Sequence, residues 1–327
     1  GDQGMNIVII FLQKAITQGI PLLYGANGEI LTEKTGNLNL GVPGMMYMGG
    51  VGGLTGAFLY ENACASAGTD PVPVLGMLIA LVCALVCSGL GALIYSLLTI
   101  TLRANQNVTG LAMTTFGAGL MKVIMSKLDA TVYLVGPKML YRWPFAGRTD
   151  ALQCLGVMFF LAVVIAVVAS WVLYRTKVGL HLRAVGENPS TADAVGINVT
   201  RYKYVASCVG SGIAGLGGFY YIIDYMASQE AYLSLEIFGW LSIALVIFAL
   251  WRPHMTIIGS TVFGFLFSCS SYIANIEGIT VTMAAKPLLK MLPYLFTVAV
   301  LVFTSIRNKR ENQPPASLGL SYFREER

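Results

Sequence analysis

Two polar blocks hold the residues of this chain that are able to do chemistry. In the first, Thr35 to Gly50, Asn37 and Asn39 precede Gly41, Pro43, Gly44 and Met45 at the mouth of an apolar run. Amide side chains and freed backbone groups can hydrogen-bond a neutral solute where a helix breaks at membrane depth. No regular helix is expected through Gly41 to Gly44, so these six residues are the candidates for a solute pathway. Asn39 is equally suited to cap a helix beginning near Val42. The second block, residues 175–203, is the longest polar stretch in an otherwise apolar sequence. Within it Asn188 suits a helix N-cap, Pro189 the first helical position and Gly196 the left-handed stop beyond the end. That spacing predicts about two turns of helix from Pro189 to Val195, with Ala192, Val195 and Ile197 exposed as an apolar ridge. A helix so short needs a surface to pack against.

Other chemistry is missing from the sequence. There is no G-x-x-x-x-G-K-[ST] phosphate loop, no nucleophile elbow and no H-E-x-x-H helix. Only two histidines, His181 and His254, are present, and both fall at predicted membrane boundaries. The six cysteines show neither metal-ligand spacing nor a disulfide framework. Neither an enzyme nor a cofactor, a metal or a nucleic-acid partner is expected. Lys14 and Lys122 are the only charges well inside predicted spans, and no carboxylate is expected at a midplane. Ion coupling is therefore poorly supported, and the power for any transport must come from a partner gripping the cytoplasmic face.

The elements that position these blocks are membrane helices. Of 327 residues, 56% are hydrophobic and 11% charged, against about a quarter charged in soluble domains. Apolar runs near the roughly 20 residues needed to span a bilayer occur at 5–24, 38–60, 74–102, 107–127, 151–174, 204–223, 237–251, 255–274 and 287–306. The expected fold is all-α: a polytopic transmembrane bundle of about nine spans, the second broken or re-entrant. The first run reads as a retained span, since no charged n-region and cleavage site accompany it. Residues 1–306 form one membrane domain, and residues 307–327, with Pro314 and Pro315, form a loose tail. Basic residues cluster in the 175–203 block and in that tail, so both are expected in the cytoplasm. The same threading puts residues 128–150 outside although they carry Lys138, Arg142 and Arg148. Arg142, Trp143 and Arg148 are accordingly candidates for docking a partner of complementary charge.

The stretches GNLNLGVPGMMYMGG, LRANQNVTGLAM, GLHLRAVGENPSTADAVGINVTRYKYVASCVGSGIAGLGGFYY and GWLSIALVIFALWRP resemble the ABC-importer permeases of the ribose and branched-chain amino acid superfamily. The likeness runs from about Pro21 to Thr304 and is nearest to the short permease of purine-nucleoside importers, differing at Pro43, where that branch carries a Glu. It implies a permease subunit of a bacterial plasma-membrane importer, forming half of a pore for a small neutral solute. A nucleoside is the first expectation, a pentose or other sugar the second and a branched-chain amino acid the third. It also implies a second permease subunit, cytosolic ABC ATPase domains, an extracytoplasmic solute-binding lipoprotein and surrounding membrane lipid. By the same resemblance Arg183, Gly186, Glu187, Asn188, Ala192, Val195, Gly196 and Ile197 belong to a coupling helix and its approach, which contacts the ATPase. A self-contained carrier or channel is the competing class.

Overall fold

The computed structural model describes residues 2–128, 155–226, 232–273, 287–288, 291–307 and 313–323. Its long helices fall on the apolar runs. They are α1 (Asp2–Glu33), α2 (Val42–Ala67), α3 (Pro73–Ser96), α4 (Gln106–Met125), α5 (Val157–Arg175), α8 (Val199–Phe219), α9 (Tyr232–Phe248), α10 (Pro253–Ile273) and α11 (Leu292–Arg307). Two short helices, α6 (Lys177–Glu187) and α7 (Pro189–Ala194), occupy the polar block. The fold of the described residues is all-helical, and four helices are long and apolar enough to cross a membrane: Pro73–Thr101, Gln106–Met125, Val157–Arg175 and Val199–Ile223. Shorter apolar helices cover Ser234–Phe248, Pro253–Cys269 and Leu292–Phe303.

The centre of the bundle is glycine-rich because its helices approach to backbone contact. A Cβ on Gly49 of α2 would lie 2.2 Å from the Gly215 carbonyl oxygen of α8. The GGVGG and SGIAGLGG clusters therefore pack against each other, as small residues do between membrane helices. Around this seam α1, α2, α8 and α9 bury Tyr24, Met46, Phe219 and Phe238. Tyr24, buried, donates its hydroxyl proton to the Met158 carbonyl at 2.8 Å and so ties α1 to α5. Large apolar side chains on α3 and α5, among them Val82, Val86, Val164 and Trp171, face outward, as lipid contact requires.

Three expectations about local structure need correction. The second segment is not broken, because α2 runs without interruption over 26 residues, about 39 Å at 1.5 Å per residue. Pro43 sits in its first turn, where no backbone donor is required. The irregular backbone lies before it, between Glu33 and Val42. The first span is also longer than hydropathy indicated, since α1 continues to Glu33 and carries two carboxylates, Glu29 and Glu33, into the buried interior. Finally, the described part of the tail is docked rather than loose. Ser317 donates its backbone N–H to Gly186 O at 3.0 Å, Gly319 donates to Gly36 O at 3.1 Å, and the Tyr322 hydroxyl donates to Asp193 Oδ2 at 2.9 Å.

Candidate functional site

The polar block folds as a chain of short helices, each stopped and restarted by a side chain. Thr176 caps α6 by accepting from Gly179 N at 3.1 Å. Asn188 closes α6 and opens α7 together: its N–H reaches Ala184 O at 2.9 Å, and its Oδ1 accepts from Thr191 N at 3.0 Å. At the other end Gly196 N donates to Asp193 O and Ile197 N to Ala192 O, both at 3.0 Å. That pair of bonds is a Schellman closure, and it needs the left-handed φ of +87° that Gly196 adopts. Asn198 then caps α8 by accepting from Arg201 N at 2.9 Å. Every turn of the block is thus fixed by a residue whose chemistry suits it.

The ridge anticipated on α7 is only partly present. Ala192 is 2% exposed and packs inward against Val185 and Val199, with Tyr322 of the tail beside them. Six residues of helix cannot stand alone, and this small apolar seam is what holds them in place. Ile197 is half-buried against the same seam, which leaves Val195, 72% exposed, as the outward apolar residue. Glu187, Asn188, Ala194 and Gly196 are exposed around it. Gly186 is buried: a Cβ there would lie 2.2 Å from the Lys34 carbonyl oxygen, so α6 presses on the connection between α1 and α2.

That connection holds the first candidate block. Asn37 and Asn39 are each 1% exposed, and Gly41, Pro43, Gly44 and Met45 are buried. Asn39 accepts from Gly41 N at 2.9 Å, a bond that folds the turn before α2, whose N-cap is Gly41 with no side-chain cap of its own. Its own N–H donates to Glu29 Oε1 at 3.0 Å. Asn37 donates from Nδ2 to Ser207 Oγ on α8 at 3.2 Å, and its Oδ1 meets no partner among the described residues. Gly44 lies against the backbone of Met113 on α4, Pro43 against Gly239 of α9, and Met45 in a cluster with Met48, Tyr95 and Met113. The structure brings these six residues together as the packed root of α2.

Sequence reasoning missed the carboxylates beneath them. Glu29 and Glu33, one turn apart on α1, point at the α1–α2 connection and at the turn between α9 and α10, where the Trp251 indole N–H donates to the Glu33 carboxylate. Leu250 and Trp251 in that turn have φ of +54° and +55°, a conformation costing about 1–3 kcal/mol per residue that persists only where its surroundings enforce it. The signal available in the sequence was the i, i+4 spacing of Glu29 and Glu33 just beyond an apolar run.

Beside the block, Lys34, Arg183, Glu187, Arg252 and His254 line a cavity of about 480 Å³ together with Tyr174 and the tail residues Gln313 and Pro315. Burial, with Arg183 and Arg252 close by, pulls the Lys34 amine down to about 8, while Glu187 opposes the shift. Arg183 stacks over the Tyr174 ring at 5.2 Å. The histidines are held by neighbouring hydroxyls: His181 Nδ1 lies 2.9 Å from the Tyr202 hydroxyl, and His254 Nδ1 lies 3.2 Å from Ser170 Oγ. No group of three or more His, Cys, Asp or Glu suited to a metal occurs among the described residues. Arg142, Trp143 and Arg148 lie outside the described residues.

A multi-helix membrane bundle that presents a rigidly capped short helix at the end where its basic residues gather has the form of a transport subunit. The chain belongs to the family described as "Branched-chain amino acid transport system / permease component", whose profile matches residues 11–304. It is 29% identical to TsgC13 of Haloferax volcanii, provisionally named a glucose ABC transporter permease protein, over 98% of this chain and 99% of that protein. Identity to the nucleoside ABC transporter permease protein NupC of Lactococcus lactis is 28%, covering 91% and 92% of the two chains. The guanosine ABC transporter permease protein NupQ of Bacillus subtilis is 26% identical, again over 91% and 92%.

Proposed function

We propose that this chain is the permease subunit of an ATP-binding-cassette importer for a nucleoside, and that α7 is the contact through which separate ATPase subunits drive it. The observation that carries the reading is the construction of α7: six residues locked at both ends by Asn188 and Gly196 and backed by the Val185–Ala192–Val199 seam, with Val195 outward. A push on Val195 would travel through that seam to α8 and through Gly186 to the root of α2. Asn37, Asn39, Gly41 and the first turn of α2 then support the solute path rather than touch solute. The tail belongs to the same assembly, because it bonds to Gly186, Gly36 and Asp193.

The orientation follows from charge. The chain folds Lys34, Arg103, Arg183, Arg201 and Arg252 to the end that carries α6, α7 and the tail, and such clusters stay in the cytoplasm. Threading the helices from there gives nine crossings with the C-terminus inside, a second permease subunit completing the pore, and a binding lipoprotein delivering solute at the far end. Arg142, Trp143 and Arg148 are assigned to that delivery contact.

Two of the three relatives compared are named for nucleoside transport, which favours a nucleoside; the likeness to TsgC13 over nearly the whole chain makes a hexose the second reading. Proteoliposomes holding this chain with its ATPase, partner permease and binding protein should take up labelled guanosine only with internal ATP. Uptake of glucose but not guanosine would transfer the assignment to the second reading, and gradient-driven uptake by this chain alone would overturn both.

A further inference from the structure

A second cavity, of about 750 Å³, opens between the end of α3, the start of α8 and the tail. Three cationic side chains line it, Arg103, Arg201 and Lys203, against one carboxylate, Asp193, whose Oδ2 is engaged by the Tyr322 hydroxyl. Lys203 is the unusual member. It is 3% exposed on an apolar helix, and its amine has neither a hydrogen-bond acceptor nor a carboxylate partner among the described residues. An ammonium group held in such a place is costly unless an anion meets it. The first turn of α8, Val199 to Arg201, borders the same cavity, so a 21-residue helix adds the partial positive charge of its N-terminus. Thr101 and Tyr204, whose hydroxyls lie 2.5 Å apart, provide neutral polar groups on the wall. Leu102, Val205 and Val209 nearby are exposed and apolar, so the cavity sits where polar lining gives way to lipid-facing surface.

We infer that this cavity binds a phosphate group, held by Lys203, Arg201 and Arg103 at the N-terminus of α8, and that its source is the headgroup of an anionic phospholipid in the adjoining leaflet. The phosphate oxygens accept from the three cationic side chains, and the acyl chains lie along the exposed valines of α8. Basic pockets between membrane helices at the cytoplasmic side are suited to such headgroups. Asp193, Gly196 and Ile197 form one edge of the cavity, so a bound headgroup would brace the end of α7 from behind. The inference requires the membrane bundle but not ATP-driven transport, and its test reads lipid alone.

The full-length chain, in the complex in which it is isolated, is placed in nanodiscs of mixed phosphatidylglycerol and phosphatidylcholine, and retained lipid is counted by native mass spectrometry. The wild type should hold phosphatidylglycerol through washing with millimolar inorganic phosphate, while Lys203→Gln and Arg201→Gln each weaken retention about tenfold, as expected for losing one charge-assisted contact. Arg201 is exposed, so its variant carries the result if Lys203→Gln fails to fold. Equal retention by the wild type and Arg201→Gln would overturn the site. Displacement of the lipid by inorganic phosphate would assign the cavity to a soluble phosphate compound and overturn the headgroup. Retention only after the ATPase subunit is stripped from the complex would overturn it as well, in favour of a protein carboxylate.

Discussion

Replacing Gly196 by valine perturbs the end of α7 without touching anything around it. A Cβ at position 196 would have no neighbour within 4 Å, so the substitution meets open space. The cost is therefore confined to the backbone: a φ of +87° penalises a side-chain-bearing residue by about 1–2 kcal/mol, at the upper end for a β-branched one. Relief comes by releasing the Gly196 N–H to Asp193 and the Ile197 N–H to Ala192, which unwinds the last turn and turns Val195 away from the proposed ATPase contact. An energy of that size reduces the population of the closed turn by roughly 5- to 30-fold relative to alternatives. In proteoliposomes with all subunits, Gly196→Val should lower solute taken up per ATP hydrolysed by several-fold while the melting temperature of the complex stays within about 2 °C, because no core contact is lost. Gly196→Asn is the control, since asparagine tolerates the left-handed region, and it should keep most of the coupling. The reasoning fails if valine couples as well as glycine. It also fails if asparagine is as defective as valine, because then the side chain and not the backbone would be at fault.

Further substitutions separate packing from coupling. Ala192→Trp should lower yield and thermal stability rather than uncouple a folded complex, because position 192 faces the Val185–Val199 seam and overpacking costs about 1–3 kcal/mol; a stable but uncoupled Ala192→Trp complex, by thermal melting and uptake assay, would contradict the burial. Asn39→Leu removes the acceptor for Gly41 N and should destabilise by about 1–3 kcal/mol in thermal melts, and Asn39→Asp should not restore it, because a further carboxylate would be buried beside Glu29. Trp251→Phe strips the donor from the buried Glu33 carboxylate and should cost more stability than Glu33→Gln, whose amide oxygen still accepts, with the double variant recovering part of the loss. Tyr322→Phe removes the bond to Asp193, worth about 1 kcal/mol, and should speed amide exchange in residues 313–323 several-fold without altering α2.

What was legible in the sequence is what is decided locally. Asn188, Pro189 and Gly196 specify α7 because capping and a left-handed stop depend on a few neighbouring residues, and the structure has them where the spacing put them. Hydropathy located the four helices long and apolar enough to cross a membrane for the same reason. Which way Ala192 points was not legible, since six residues of helix carry too little periodicity, and the answer comes from Val185 and Val199 on either side. The burial of Glu29 and Glu33 depends on donors 10 and 218 residues away, distances over which no hydropathy window reports. The tail docks through backbone bonds to Gly186 and Gly36 and through side chains such as Tyr322 on Asp193, and the backbone bonds leave no compositional trace. At Asn39 the pathway and cap readings were equally open; its bond reaches the N–H of the N-cap Gly41 itself, so it shapes the turn before α2 instead of capping the helix.

If an ATPase grips α7, a photo-crosslinking residue at position 195 of the assembled transporter in native membranes lies within its reach. A crosslinked product between this chain and the ATPase subunit should form at position 195 and not at position 62 on the opposite end of α2. No product at position 195, or a product there only with a protein applied from the outside of the membrane, would contradict it.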